Sequence, residues 1–139
     1  MRYHMLVSHG GFASGMAEAL GMLVGKRDDV LQVSFRDGMA LPAFQEQVRQ
    51  VTAPITAEDE VLIMADLVNG SPLTTTMAVL AEGPGLDNVR AVGGMNLPMA
   101  VTAIEGEDDP LDETVEAMKA CAKDEVKQFQ TETGSDDDI

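Results

Sequence analysis

The sequence predicts an α/β fold: an open, doubly wound parallel sheet of four strands with helices on both faces. Three observations carry this. Short apolar runs alternate with segments of helical period in the order β-α-β-α-β-α-β-α-α, the pattern of parallel strands joined by right-handed helical crossovers. The run Val61 to Leu67 is almost unbroken in apolar residues, as a strand buried on both faces requires. Glycine-marked breaks follow the strand candidates, as in Ser8-His9-Gly10-Gly11 and Gly93-Gly94, where loops at a sheet edge belong.

Tyr3 to Val7 is the first strand candidate, and a helix is expected from Ser14 to Gly25 with Met16, Leu20, Leu23 and Val24 inward. Val30 to Phe35 is the second strand. Asp37-Gly38 makes a turn, after which Leu41, Phe44, Val48 and Val51 repeat on one helical face. Val61 to Leu67 is the third strand, and Asn69-Gly70-Ser71-Pro72 opens the third helix. Val89 to Val92 is the fourth strand. A short helix follows over Asn96 to Ile104, and a longer one over Leu111 to about Phe129, with Leu111, Val115, Met118, Ala122, Val126 and Phe129 inward. Ten methionines fall mostly at periodic apolar positions, which reads as core filler.

Length and charge narrow the function. A chain of 139 residues makes one domain. The expected division is a folded domain over 1–130 and a disordered acidic tail over 131–139, where Asp136, Asp137 and Asp138 stand together. The net charge is −15; residues 1–104 carry 11 acids and 6 bases, and residues 105–139 carry 13 acids and 3 bases. A pI near 4.2 argues against nucleic acid and anionic lipid as partners. The one cysteine, Cys121, excludes an intrachain disulfide and is expected to be a buried thiol. With no apolar run of membrane-spanning length and no signal-peptide pattern, a cytoplasmic location is expected.

In an open parallel sheet, ligands sit beyond the carboxyl ends of the strands. The residues placed there are His9, Asp66, Asn69, Gly70, Ser71 and Asn96, with Gly10 and Gly11 permitting close backbone approach. Pro72 suits the first turn of a helix whose free amides accept an anion. A neutral imidazole nitrogen attacks phosphorus directly, and a carboxylate on the other ring nitrogen fixes the tautomer and stabilises the charge that develops. His9 and Asp66 fit those roles, and the set holds no basic residue. No Walker or dinucleotide glycine pattern occurs, so a phosphoryl group without a nucleotide is the expected ligand, with no cofactor.

Each residue also has an ordinary structural reading. His9 at a strand end, Asp66 capping a turn and Ser71 capping a helix are all common. His4, inside the first strand, is expected to point out of the sheet or to bond locally. A metal site from His9, Asp66 and His4 is disfavoured, because residues five apart on one strand face opposite ways.

Taken together, Ser8-His9-Gly10, Asp66-Leu67-Val68-Asn69-Gly70-Ser71-Pro72 and Gly94-Met95-Asn96-Leu97-Pro98-Met99 resemble the mannose-class enzyme IIA domains of the bacterial sugar phosphotransferase system, over roughly residues 3–130. The resemblance implies strand order 2-1-3-4. It implies that His9 accepts a phosphoryl group on Nε2 from the carrier protein HPr and passes it to a histidine of enzyme IIB, which serves the membrane IIC and IID subunits. It makes Asp66 the residue that orients His9, Gly10, Gly70 and Ser71 the phosphate cradle, and Asn69, Asn96 and Pro98 the pocket wall. Two departures stand out. The family usually has two glycines before Ser-Pro, and here Asn69 replaces the first; asparagine tolerates a left-handed backbone. Members often add a C-terminal edge strand, exchanged between subunits in some, whereas no strand pattern follows the last helix here; dimerisation by strand exchange is therefore not expected, and a homodimer would have to use another surface. Two alternatives remain: a phosphoryl relay serving dihydroxyacetone kinase, and a regulatory module that binds an anion without covalent transfer.

Overall fold

The computed structural model describes residues 1–131, as four strands and five helices in strict alternation up to the last two helices. They are β1 (Arg2–His9), α1 (Phe12–Val24), β2 (Val30–Phe35), α2 (Leu41–Thr52), β3 (Glu60–Ala65), α3 (Ser71–Glu82), β4 (Val89–Val92), α4 (Leu97–Glu105) and α5 (Leu111–Asp124). The strands form one parallel sheet in the order β2-β1-β3-β4. Of the tail expected over 131–139, residues 132–139 lie outside the described residues, and so does what the sequence implied for them.

The central strands alternate their side chains between two cores. Leu6, Leu62 and Met64 pack with Met16 and Leu20 of α1, Met99 and Ala103 of α4, and Leu111 and Met118 of α5. Met5, Val7, Val33 and Ile63 pack with Phe44 and Val48 of α2 and Leu73 and Leu80 of α3. Covering both faces explains why β1 and β3 each contain five consecutive buried residues. Six methionines (Met5, Met16, Met64, Met95, Met99 and Met118) are in the core, as filler rather than as an exposed ligand box.

Several boundaries differ from the expectation. Strand β3 stops at Ala65, and Leu67 and Val68 are exposed. The Asp66 side chain accepts the Leu67 amide and turns the chain out of the sheet. Helix α1 begins at Phe12, because Ser8 Oγ accepts the Ala13 amide at 2.6 Å. Leu23 faces solvent, leaving Met16, Leu20 and Val24 as the inner stripe. Helix α5 ends at Asp124, so Val126 and Phe129 are exposed rather than inward. A periodic stripe holds a helix only where something covers it. Cys121 is half-buried, not fully enclosed.

His4 is the largest correction. It is fully buried on the α1/α4/α5 side of β1, and neither ring nitrogen has a hydrogen-bond partner among the described residues. Carboxylate oxygens of Asp29 and Glu107 lie close by, the ligating atoms of the three residues all within 4.8 Å of one another. Both carboxylates are already joined by Arg27, which donates to Asp29 at 2.8 and 2.9 Å and to Glu107. Burial lowers the pKa of His4 against opposition from Asp29, with Arg27 and Arg2 lowering it further and Glu107 opposing. Arg2 ties β1 to Glu60 of β3 and, through the Gly106 and Asp109 carbonyls, to the α4–α5 loop. This amino end of the sheet is a brace. The opposite end is where the backbone opens.

Candidate active site

His9 is the last residue of β1 and pairs in register with Phe35 of β2. Gly10 follows in the left-handed region (φ 57°), and its amide donates to the Phe35 carbonyl at 2.8 Å. The turn therefore lifts the chain off the sheet immediately after the imidazole. Asp66 is the first residue beyond β3, the strand on the other side of β1. Its backbone is held on both sides: its amide donates to the Val7 carbonyl, and its carbonyl accepts from the Gly94 amide.

The Asp66 carboxylate is fully engaged by donors. Oδ2 accepts the His9 amide at 2.9 Å and contacts His9 Nδ1 at 2.8 Å, while Oδ1 accepts the Leu67 amide at 2.8 Å. Burial of Asp66 works to raise its pKa. The His9 amide, the His9 imidazole and the Leu67 amide outweigh it, and the carboxyl lies below its ordinary value. An ionised Asp66 can only accept, so Nδ1 of His9 carries the proton and Nε2 has the free lone pair. The His9 side chain is 46% exposed and that of Asp66 only 13%, so the pair offers an open nucleophile on a covered support.

The free nitrogen faces the start of α3. A Cβ on Gly70 would lie 2.7 Å from His9 Cε1 and 3.3 Å from Nε2, so the ring packs directly on this glycine's backbone. Gly70 occupies the cap position; Ser71 and Pro72 are the first two helical residues. Ser71 is therefore not the N-cap; it is an exposed residue in the first turn of α3, whose leading amides have no partner within the helix. Asn69 is exposed, and no non-glycine residue has positive φ among those described. The departure from the family pattern at Asn69 therefore puts no strain on the loop.

Asn96 and Pro98 serve α4. Asn96 Oδ1 caps the helix by accepting the Met99 amide at 3.0 Å, and its Nδ2 donates to the Ala122 carbonyl of α5 at 3.0 Å. Both polar ends of Asn96 are thus committed, and it lines a groove against Lys119, Ala122 and Lys123. Pro98 sits in the first turn of α4.

Three contributors escaped the sequence reading. Ser8 is buried and ties the His9 turn to α1 by accepting the Ala13 amide and donating to the Gly10 carbonyl. Gly93 lies so close to Val68 that a Cβ there would fall 2.9 Å from the Val68 amide nitrogen, which fixes the loop after Asp66. Arg36, the residue after β2, brings its guanidinium against Gly11, with Nη1 2.7 Å from where a Cβ would sit. The sequence set contained no base. The signal for Arg36 was available in strand order, because β2 lies beside β1 and its exit shares the edge with the turn after His9.

The family model of the phosphotransferase system (PTS) fructose IIA component, EIIA-man, matches residues 3–119. The chain belongs to the EIIA-man family. As a member of EIIA-man, it is a IIA component of the sugar phosphotransferase system. A relative is the PTS system fructose-specific EIIA component of Bacillus subtilis (strain 168), 28% identical over 100 residues. That match covers 72% of this chain and 66% of the relative, just under two thirds of its length. Among solved structures, the mannose/sorbose-specific IIA subunit from Enterococcus faecalis superposes with a TM-score of 0.80 at 24% identity, covering 94% of this chain and 96% of that one. The PTS IIA protein associated with the fucose utilization operon of Streptococcus pneumoniae gives a TM-score of 0.72 at 28% identity, covering 86% and 89%. The strand order predicted for the EIIA-man fold is the one observed. No helix among the described residues is long and apolar enough to cross a membrane.

Proposed function

We propose that this EIIA-man protein is a phosphocarrier whose His9 takes a phosphoryl group on Nε2 from the phosphohistidine of HPr and hands it to a histidine of enzyme IIB. The sugar itself is phosphorylated further on, by way of the membrane IIC and IID subunits. The observation that carries this is the 2.8 Å contact between Asp66 Oδ2 and His9 Nδ1, which leaves Nε2 as the nucleophile.

The step balances without an added reactant. The Nε2 lone pair forms the new N–P bond while the donor's P–N bond breaks, its electron pair returning to the donor imidazole. No proton has to move. The donor ring keeps its N–H and leaves neutral, and the positive charge passes to the His9 ring, next to Asp66. Onward transfer to IIB is the same step reversed in role. Gly10, Gly70 and Ser71 are the phosphate cradle in this reading, with Asn69 at its rim and Asn96 and Pro98 further out on the α4 side.

A protein donor also suits the surroundings. Phe12, Leu67 and Val68 flank His9 and Asp66 in the chain and are each at least half exposed. A bare nucleophile with apolar residues around it matches a protein docking face better than a small-molecule cavity. The test is incubation with phosphorylated HPr, followed by IIB or dihydroxyacetone kinase. Transfer to IIB, abolished in His9→Ala, supports the sugar pathway. Transfer to the kinase alone, or none, contradicts it.

A further inference from the structure

The phosphorylated form requires a positive counter-charge, and the structure places one unpaired guanidinium at the edge where it is needed. Of the five arginines, Arg2, Arg27, Arg49 and Arg90 are in ion pairs; Arg36 is in none among the described residues. In a chain of 24 acids and 9 bases, a guanidinium left without a carboxylate is conspicuous.

Its position makes this more pointed. Arg36 lies against Gly11, the N-cap of α1, where the helix dipole is positive and a cation is unfavourable. The first turn of α1 contains no acid, and neither does that of α3. Two uncompensated helix starts and an unpaired arginine therefore meet at one edge of a strongly acidic protein. An anion is what that arrangement lacks.

The distance is short. His9 pairs with Phe35 across an inter-strand spacing of about 4.8 Å, and Arg36 is the next residue, just past the end of β2. The Phe35 carbonyl holds the Gly10 amide, which fixes the two strand exits together. Arg36 is exposed, and no hydrogen bond or ion pair holds its guanidinium among the described residues.

We propose that Arg36 turns from Gly11 onto the phosphoryl group carried by His9 Nε2, donating to its oxygens while Asp66 holds the opposite ring nitrogen. This rests on the phosphohistidine reading and names the residue that supplies its charge. A planar fork of N–H donors matches phosphoryl oxygens, and the same contact opposes the charge that spreads over them during transfer. Asp66, being an anion, cannot do this.

Potassium phosphoramidate tests the idea without any partner protein. Nε2 attacks its phosphorus, the P–N bond breaks, and the nitrogen departs as ammonia. The wild-type protein, R36Q and R36K are labelled in parallel, with the arginine Nε–H NMR signals followed. Expected are a shift of the Arg36 signal larger than that of any other arginine, labelling of R36Q slowed about tenfold, and recovery of most of the rate in R36K. Labelled wild type with an unmoved Arg36 signal, or R36Q labelled at the wild-type rate, overturns the role of Arg36 and leaves the phosphohistidine intact. Labelling by phosphoramidate with the Arg36 shift, but none by phospho-HPr, upholds Arg36 and removes the HPr relay. No labelling of the wild type removes both.

Discussion

Asp66 grips His9 twice with one oxygen: Oδ2 accepts the His9 amide at 2.9 Å and meets the His9 imidazole Nδ1 at 2.8 Å. The backbone and the ring of the same residue are thus referenced to a single atom. The imidazole cannot rotate about its side-chain torsions without leaving an oxygen that the backbone at the end of β1 holds in place.

Asp66→Ala should therefore slow phosphoryl transfer to His9 by roughly 10- to 100-fold, the usual cost of removing a carboxylate that orients an imidazole. The His9 and Leu67 amides also lose their acceptor, so unfolding free energy should fall by about 1–2 kcal/mol. Stopped transfer and urea denaturation measure the two effects. An unchanged rate would leave Asp66 as a turn former only.

The acid limb of stability follows from the same carboxylate. Asp66 titrates below its ordinary 3.8 in the folded state, so its contribution is complete above that value and is lost as pH falls through the folded pKa. Denaturation curves below about pH 4 should be steeper for wild type than for Asp66→Asn.

Gly70→Ala tests the ring's seat. The added methyl would fall 2.7 Å from His9 Cε1, and the imidazole must move off Asp66 or the start of α3 must shift. Gly70 has φ −105°, which alanine adopts freely. The variant should fold normally, with a melting temperature close to wild type and phosphorylation reduced at least about tenfold.

His4 gives a prediction at the other end of the sheet. Its pKa is held below 6.5, by burial first. The unfolded chain binds more protons there than the folded one once pH drops toward that value, so stability is full above about 6.5 and declines below it. Replacing this unpartnered ring by leucine should raise unfolding free energy by about 1 kcal/mol at neutral pH. It should also flatten the loss of stability expected for wild type between about pH 7.5 and pH 5.5. Urea titrations at both pH values decide it.

Phe129→Ser should change stability by less than about 0.5 kcal/mol, because that ring is exposed. Met118→Ala, in the core, should cost about 2–5 kcal/mol.

Most of the fold was legible because a parallel sheet covered on both faces writes its strands as apolar runs and its helices as stripes. β2 and β4 have the boundaries that the apolar runs predicted. Errors arose where local pattern met tertiary context. The stripe through Val126 and Phe129 continues past the last covered turn of α5. Leu67 continues the apolar run of β3 after Asp66 has already redirected the backbone. His4 was misplaced because a polar residue in a strand was assumed to seek water, whereas β1 is buried on both faces there. At the site, His9, Asp66 and Gly70 were identifiable because each ends a strand or opens a helix. Arg36 was not, because its importance comes from the neighbouring strand and from the absence of a partner, neither of which is written locally.

The central claim is tested most directly by phosphorus and nitrogen NMR of the protein after exposure to phospho-HPr, which identifies the nitrogen that bears the phosphoryl group. The account predicts a single phosphohistidine, bonded at Nε2 of His9, with the proton retained on Nδ1. A phosphoryl group on Nδ1, one on another residue, or a signal that persists in His9→Ala would contradict it.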